Sequence, residues 1–275
     1  MQPSKPEPLK SSAPKMAYTT LTLEFSGEIA TITFNRPEKR NAISAEMIAD
    51  LMAAFAEVEA NPAQILILTG AGKAFCSGMD LDALKAVATQ SPTEHLEDSR
   101  RTARLYRRIW SFPKPTIAAV NGAAIAGGCG IATLCDFTIS VPSAQFGYPE
   151  VRIGFLPAVV SVFLVRQIGE KHARDLLLTG RIVDAGEAFR LGLVTQIATE
   201  EELMPAAHSL AAQLLECSPV SLLKTKKLLC NFAAPELDRE LELATAEGAQ
   251  MRSTADFREG LASFLEKRPP RWGPK

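Results

Sequence analysis

The sequence predicts an α/β fold that ends in a helical segment. Apolar, strand-like segments alternate with helical patterns through the first two-thirds of the 275 residues, and from Pro157 onward the pattern is almost wholly helical. Such alternation is typical of α/β folds. Because 47% of the residues are apolar, a chain of this length can bury a large core without disulfides. One domain with an appendage fits this length.

The first elements are a hairpin, a helix and a strand. Residues 21–25 and 29–34 are apolar segments joined by Ser26-Gly27-Glu28, which predicts two paired strands. Ser44 is a suitable N-cap for a helix whose apolar residues recur at helical spacing. These residues are Met47, Ile48, Leu51, Phe55 and Val58. Residues 65–68 form a short apolar strand.

The later elements include two more buried strands and a series of helices. Residues 116–120 and 137–141 are the strands, and the Gly/Ala-rich segment 122–130 lies between them. The predicted helices follow at residues 158–168, 170–178, 184–191, 201–215, 220–229, 236–251 and 257–267.

Composition excludes several classes of protein. Thirty basic and 31 acidic residues give a net charge of −1, which removes the main reason to expect nucleic-acid binding. The sequence contains no run of 18 apolar residues, so it does not predict a membrane-spanning helix. Residues 1–16 are rich in Pro, Lys and Ser and lack the apolar region of a signal peptide, so we expect a disordered tail. Five cysteines without a CxxC pair predict free thiols, and we expect a cytoplasmic protein. The three histidines are widely spaced, so no metal site is expected.

Three segments carry residues suited to chemistry. Residues 70–75 resemble a phosphate loop, but Ala74 and Phe75 stand where the nucleotide-binding patterns need Ser or Thr and a third Gly or Ala. Residues 126–130, Ala-Gly-Gly-Cys-Gly, suit either an oxyanion hole or close packing of a helix on a strand. Glu150 follows an apolar strand and is either a general base or a solvated side chain.

Taken together, five short motifs resemble the enoyl-CoA hydratase/isomerase superfamily, the crotonases, from about residue 20 to Lys267. The motifs are Asn35-Arg36-Pro37 with Asn41-Ala42, Ala74-Phe75-Cys76-Ser77-Gly78-Met79-Asp80, Asn121-Gly122 with Gly127-Gly128-Cys129, Cys135-Asp136, and Phe146-Gly147 with Glu150 and Gly154. Their order and spacing make the resemblance specific.

The resemblance implies a crotonase-like spiral of ββα turns in residues 17–200, forming two roughly perpendicular sheets. Residues 201–275 are then a helical trimerisation segment, in a homotrimer or a dimer of trimers. The implied substrate is an acyl-CoA thioester whose enolate is stabilised by the backbone N–H groups of Met79 and Gly127. No separate cofactor is implied, because the substrate carries the coenzyme A.

The resemblance also implies a set of substrate-binding residues. Some line the CoA nucleotide, others approach CoA from the C-terminal segment, and others lie beside the acyl group or the glutamate. The set is Lys39, Arg40, Ala42, Asp80, Leu81, Tyr148, Phe264 and Lys267. For Arg40, the alternatives are a phosphate contact and a solvated basic turn.

One departure from the family pattern affects the expected reaction. Family hydratases carry two glutamates; the second matches Glu150, but Gly130 stands at the first. Related isomerases often keep only the second, and one carboxylate suffices to move a proton between carbon atoms. We therefore expect isomerisation with Glu150 as the base and a gap beside Gly130. The alternatives are hydration, or another crotonase reaction, with a substitute group such as Tyr148 or Asp80, and a weakly catalytic acyl-CoA-binding oligomer.

Overall fold

The computed structural model describes residues 18–273, and the predicted tail at residues 1–16 lies outside them. Ten strands are assigned within the described range. They are β1 (Leu21–Ser26), β2 (Ile29–Phe34), β3 (Ile65–Gly70), β4 (Ala74–Cys76), β5 (Thr116–Val120), β6 (Ala123–Ile125), β7 (Phe137–Ser140), β8 (Gln145–Gly147), β9 (Ile182–Asp184) and β10 (Gln196–Ile197).

The larger sheet has the order β1-β2-β3-β5-β7-β10. Strands β1 and β2 form the predicted antiparallel hairpin, with Leu21 opposite Phe34 and Gly27 at a φ of +59° in the turn. The other pairs are parallel. Strand β5 and residues 65–69 of β3 are fully buried, as expected where helices cover both faces of a parallel sheet.

The smaller sheet has the order β4-β6-β8-β9, and each of its strands has three residues. Strands β4, β6 and β8 are parallel neighbours, whereas β9 pairs with β8 in the antiparallel sense. The sequence did not predict these strands because three residues show no periodicity. Strands β9 and β10 also interrupt the third of the chain that was predicted as helical.

The helices connect the strands and cover the sheets. In chain order they are α1 (Ala45–Ala60), α2 (Leu81–Val87), α3 (Pro92–Trp110), α4 (Gly127–Leu134), α5 (Ala158–Thr179), α6 (Ala185–Leu191), α7 (Leu203–Leu215), α8 (Pro219–Met251) and α9 (Ala255–Leu265). Ser44 caps α1 as predicted, since its hydroxyl accepts from the Met47 N–H at 3.1 Å.

Of two predicted helix breaks, one is confirmed and one is wrong. Gly169, with a φ of +75° and a ψ of 161°, is non-helical and divides α5 into two helical parts at the predicted position. Helix α8 runs through Pro235, although the sequence predicts separate helices at 220–229 and 236–251. Proline removes one hydrogen bond of a helix, and packing of α8 against α3 and α5 holds the helix together.

Strand ends of the smaller sheet position the three principal candidate residues. Met79 follows β4 by three residues, Gly127 follows β6 by two, and Glu150 follows β8 by three. Because β4, β6 and β8 are parallel neighbours, their carboxyl ends bring these three segments to one edge. Ligand sites of parallel sheets lie at this edge. Within residues 18–273, no helix is both long and apolar enough to cross a membrane.

Candidate active site

The segment around Met79 is held by a single bridge to the chain before α1. The Ile43 N–H donates to the Gly78 carbonyl at 2.7 Å, and the Asp80 N–H donates to the Ile43 carbonyl at 2.9 Å. Gly78 has a φ of +92°, and a Cβ atom there would lie 3.1 Å from the Cβ atom of Ala126. Glycine therefore permits both the backbone conformation and the close approach of the two segments.

The segment around Gly127 turns sharply from β6 into α4. Ala126 has a φ of +52°, and its N–H donates to the Gly147 carbonyl at 2.8 Å. The Gly130 N–H donates to the Ala126 carbonyl at 3.1 Å, which fixes the peptide plane that also carries the Gly127 N–H. That N–H group consequently points away from the helix at its N-terminal end, where the helix dipole is positive.

The N–H groups of Met79 and Gly127 are two adjacent, unused donors. In the described part of the chain, neither donates to another main-chain group. A Cβ atom on Gly78, the residue before Met79, would lie 3.9 Å from the Gly127 nitrogen. Two neighbouring backbone donors beside a helix N-terminus are suited to stabilise an oxyanion, and this role stays a prediction for Met79 and Gly127.

Glu150 lies in a 3-10 turn, Pro149–Ile153, directly after β8. Its carbonyl accepts from the Phe155 N–H at 3.0 Å, which fixes the main chain. The residue as a whole is half-buried, but its Oε2 atom is buried and has no hydrogen-bond partner within residues 18–273. Burial raises the pKa of the carboxyl from 4.5 to about 7. A carboxyl with such a pKa can both accept and donate a proton near neutral pH.

A small apolar cluster, separate from the main core, packs beside Met79. It joins α2 and α9 to the turn that carries Glu150, and the Phe155 and Phe257 rings meet edge to face at 5.4 Å. Its members are Leu84, Val87, Phe257, Leu261, Met79, Ile153, Phe155 and Leu265. The cluster provides an apolar wall next to the proposed oxyanion site.

Helix α9 and the Glu150 turn are in backbone contact at two glycines. A Cβ atom on Gly154 would lie 2.3 Å from the Asp256 carbonyl oxygen, and one on Gly260 would lie 2.2 Å from the Ile153 carbonyl oxygen. Neither position can carry a side chain without moving the other segment. The end of the chain therefore packs directly against the turn that holds the buried carboxyl.

Comparison with known proteins agrees with this geometry. The family model "Enoyl-CoA hydratase/isomerase" matches residues 24–275. The chain belongs to the enoyl-CoA hydratase/isomerase family. A Thermus thermophilus protein whose name includes enoyl-CoA hydratase is 45% identical over 247 residues, which are 90% of this chain and 98% of that protein. Crotonyl-CoA hydratase of Syntrophomonas wolfei is 34% identical, covering 92% of this chain and 97% of the relative.

The fold comparison supports the same family. The crystal structure of an enoyl-CoA hydratase/isomerase from Xanthobacter autotrophicus Py2 superposes with a TM-score of 0.85 at 30% identity, covering 94% of this chain and all of that one. The predicted resemblance to the crotonases and the predicted fold class are therefore confirmed.

Residues 36–42, where the family resemblance places part of the CoA nucleotide, form a tight turn. Arg40 is left-handed, with a φ of +51° and an exposed side chain. The Lys39 ammonium is 3.1 Å from an Asp82 carboxylate oxygen. Ala42 is buried, and its carbonyl accepts from Arg36 at 2.8 Å. The turn thus presents the exposed Arg40 guanidinium and the Lys39 ammonium on a backbone held by hydrogen bonds.

Asp80 is not available as a substitute acid. One carboxylate oxygen is 2.8 Å from the Arg36 guanidinium, and the other accepts from the Asp82 N–H at 2.9 Å, capping α2. Burial raises the pKa of this carboxyl, but the hydrogen bonds from Asp82 and Arg36 outweigh burial and leave the pKa lowered. Asp80 is an ionised structural residue, and its neighbour Leu81 is 44% exposed.

Tyr148 is not a free substitute either. Its side chain is only 1% exposed, and its hydroxyl is 3.3 Å from the Thr133 hydroxyl. Burial raises the pKa of this phenol well above 10. The hydroxyl is engaged within the core, which argues against the substitute roles considered from the sequence.

The expected gap beside Gly130 does not exist. A Cβ atom on Gly130 would lie 2.9 Å from Cε2 of Tyr106 and 3.0 Å from Cγ1 of Val160. The Tyr106 ring, which belongs to α3, and the Val160 side chain occupy the space beside Gly130. Sequence reasoning missed Tyr106. The available signal was the spacing of Gly127 and Gly130, which places two side-chain-free positions on one face of α4.

Phe264 and Lys267 are exposed at the end of α9. Phe264 is 50% exposed near the end of α9, and Lys267 is exposed with a φ of +54°. A single chain therefore leaves both side chains in solvent, and their predicted contact with CoA stays a prediction. The described residues contain no group of three or more His, Cys, Asp or Glu side chains able to hold a metal ion.

Proposed function

We propose that the protein is an enoyl-CoA isomerase that moves the double bond of a 3-enoyl thioester to the 2-position. Two observations carry the proposal: among the described residues Glu150 has the one buried carboxyl oxygen without a hydrogen-bond partner, and the space beside Gly130 is already filled. A reaction that needs one acid/base group matches this site better than one that needs two.

Each step uses groups of this chain. The N–H groups of Met79 and Gly127 donate to the thioester oxygen and stabilise the negative charge that develops there. Ionised Glu150 removes a proton from C2, so that the C2–H electrons form the dienolate. The same carboxyl returns the proton to C4, and the double bond lies between C2 and C3. The apolar wall beside Met79 keeps water from the dienolate.

Hydration of a 2-enoyl thioester is the second candidate. The observation in its favour is that relatives such as the crotonyl-CoA hydratase of Syntrophomonas wolfei carry hydratase names. In this chain the water would have to be held without a glutamate at position 130. Asp80 and Tyr148 are already engaged with other groups, so the isomerase proposal fits the site better.

Substrate and assembly are further parts of the proposal. An acyl-CoA thioester is the substrate class, with CoA over the turn at Lys39, Arg40 and Ala42, and no separate cofactor is required for proton transfer. Self-association as a homotrimer or a dimer of trimers is supported by apolar side chains that α8 leaves exposed. They are Val220, Leu223, Leu228, Leu229, Phe232 and Leu243.

Incubation of the protein with 3-enoyl-CoA and 2-enoyl-CoA separates the candidates. We expect conversion of the 3-enoyl thioester without hydration of the 2-enoyl thioester. Glu150→Gln removes the proton acceptor and should lower isomerisation by about 10²–10⁴-fold. The matched control, Glu24→Gln on the exposed face of β1, should retain activity.

Three results would count against the proposal. Efficient hydration by the unaltered protein would favour the second candidate. Full isomerisation by the Glu150→Gln variant would remove Glu150 as the base. Binding of CoA esters without turnover of either substrate would indicate an acyl-CoA-binding oligomer.

A further inference from the structure

The Tyr106 side chain links α3 to the first turn of α4. Its hydroxyl donates to the Gly127 carbonyl at 2.8 Å, and its side chain is 1% exposed. A Cβ atom on Gly127 would lie 2.8 Å from this hydroxyl, and one on Gly130 would lie 2.9 Å from the ring. Gly127 and Gly130 are three residues apart and share one helix face, so they form a groove that the tyrosine ring occupies.

Three consecutive peptide planes at this turn each take part in a hydrogen bond that limits their rotation. The Ala126 N–H donates to Gly147, the Ala126 carbonyl accepts from Gly130, and the Gly127 carbonyl accepts from Tyr106. The first two bonds are between main-chain groups. The third bond comes from the Tyr106 side chain. It restrains the backbone at Gly127 and Gly128, where the lack of side chains allows more rotation.

We propose that Tyr106 is a positioning residue that fixes the Gly127 N–H toward the thioester oxygen. The inference rests on the proposed role of that N–H in the oxyanion hole. Holding the Gly127 carbonyl limits rotation about Gly127, and a donor that is already oriented stabilises developing charge without reorganisation. Tyr106 does not itself exchange protons in this role, because burial keeps the pKa of its phenol well above 10.

The same contacts connect this positioning role to the packing around Gly130. The ring lies against both Gly127 and Gly130, so a side chain at either position would require the ring to move. The residue that anchors the Gly127 carbonyl is therefore also the residue that packs against Gly130.

Tyr106→Phe tests this inference because it removes the hydroxyl and keeps the ring. The probe is butyryl-CoA labelled with ¹³C at the thioester carbonyl, which binds without a double bond to move. With the unaltered protein we expect the bound carbonyl resonance to lie downfield of the free thioester. In Tyr106→Phe it should return toward the free value, and isomerisation kcat should fall about tenfold with little change in KM.

Tyr18→Phe is the matched control. It removes a hydroxyl that makes a hydrogen bond of the same length, 2.8 Å to Glu57. Tyr18 lies just before β1, and Glu57 lies on α1. This variant should leave both the resonance and kcat unchanged. An unshifted carbonyl in the unaltered protein, or an unchanged resonance and kcat in Tyr106→Phe, would overturn the role of Tyr106.

The two proposals fail in different measurements. If Glu150→Gln retains isomerisation while Tyr106→Phe moves the carbonyl resonance, the acid/base assignment is wrong and the positioning role stands. If Glu150→Gln abolishes isomerisation while Tyr106→Phe changes neither measurement, the positioning role alone is wrong.

Discussion

Glu150→Gln should make the folded protein more stable, and the gain should grow with pH. Burial raises the pKa of the Glu150 carboxyl from 4.5 to about 7, so the folded state favours the protonated form. The associated stability is fully present below pH 4.5 and is lost as the pH rises through 7. One pKa unit corresponds to 1.36 kcal/mol, so ionisation of the buried group costs about 3 kcal/mol above pH 7. A neutral glutamine avoids that cost.

Thermal unfolding between pH 5 and pH 8.5 measures this effect. The stability gain of the variant should increase from about 1 kcal/mol at pH 5 to about 3 kcal/mol at pH 8.5. The corresponding rise in Tm at the upper pH is about 6–12 °C for a chain of this size. Any effect of the new amide itself on stability is the same at every pH. The test is therefore how the stability difference between variant and parent changes with pH. Glu24→Gln, on the exposed face of β1, serves as the control. A difference between Glu150→Gln and the parent that is constant across this range would refute the raised pKa.

Two further predictions concern turnover and packing. Since Glu150 must be ionised to remove a proton, and its pKa is about 7, kcat/KM for 3-enoyl-CoA should rise about tenfold between pH 6 and pH 8; a flat profile would contradict this. Gly128→Ala should abolish folding or lower stability by more than about 4 kcal/mol, because the new Cβ would lie 2.1 Å from the Cys76 carbonyl oxygen. Gly27→Ala, in the open hairpin turn where nothing lies within 4 Å, should lose only about 1–2 kcal/mol from its left-handed φ, and equal losses in the two variants would contradict the packing argument.

The larger sheet was predictable from the sequence, whereas the smaller one was not. Strands such as β3 and β5 are continuous apolar segments with turn residues on either side. They can therefore be predicted from their own residues and immediate neighbours. Strands β4, β6 and β8 have three residues each, and they are strands only because each pairs with the next. The position of Met79 beside Gly127 depends on that pairing and came from the family resemblance, not from local pattern.

The surroundings of Gly130 show a similar limit. A glycine in place of a glutamate suggests empty space when the sequence is the only information. The space is occupied by Tyr106, a residue on another helix and 24 positions earlier in the printed sequence. Which side chain fills a space depends on how two helices pack, and a single sequence does not contain that geometry.

The contact of α9 with the Glu150 turn has a consequence for how the protein is made. The strands that position Met79 and Gly127 are complete once residue 147 has been synthesised, so they can pair while the rest of the chain is still being translated. The turn gains its final support only when Gly260 can pack against Ile153. A nascent or prematurely terminated chain can therefore assemble the backbone donors while its carboxyl is unsupported. The turn that carries Glu150 therefore reaches its final packing only after α9 has been synthesised.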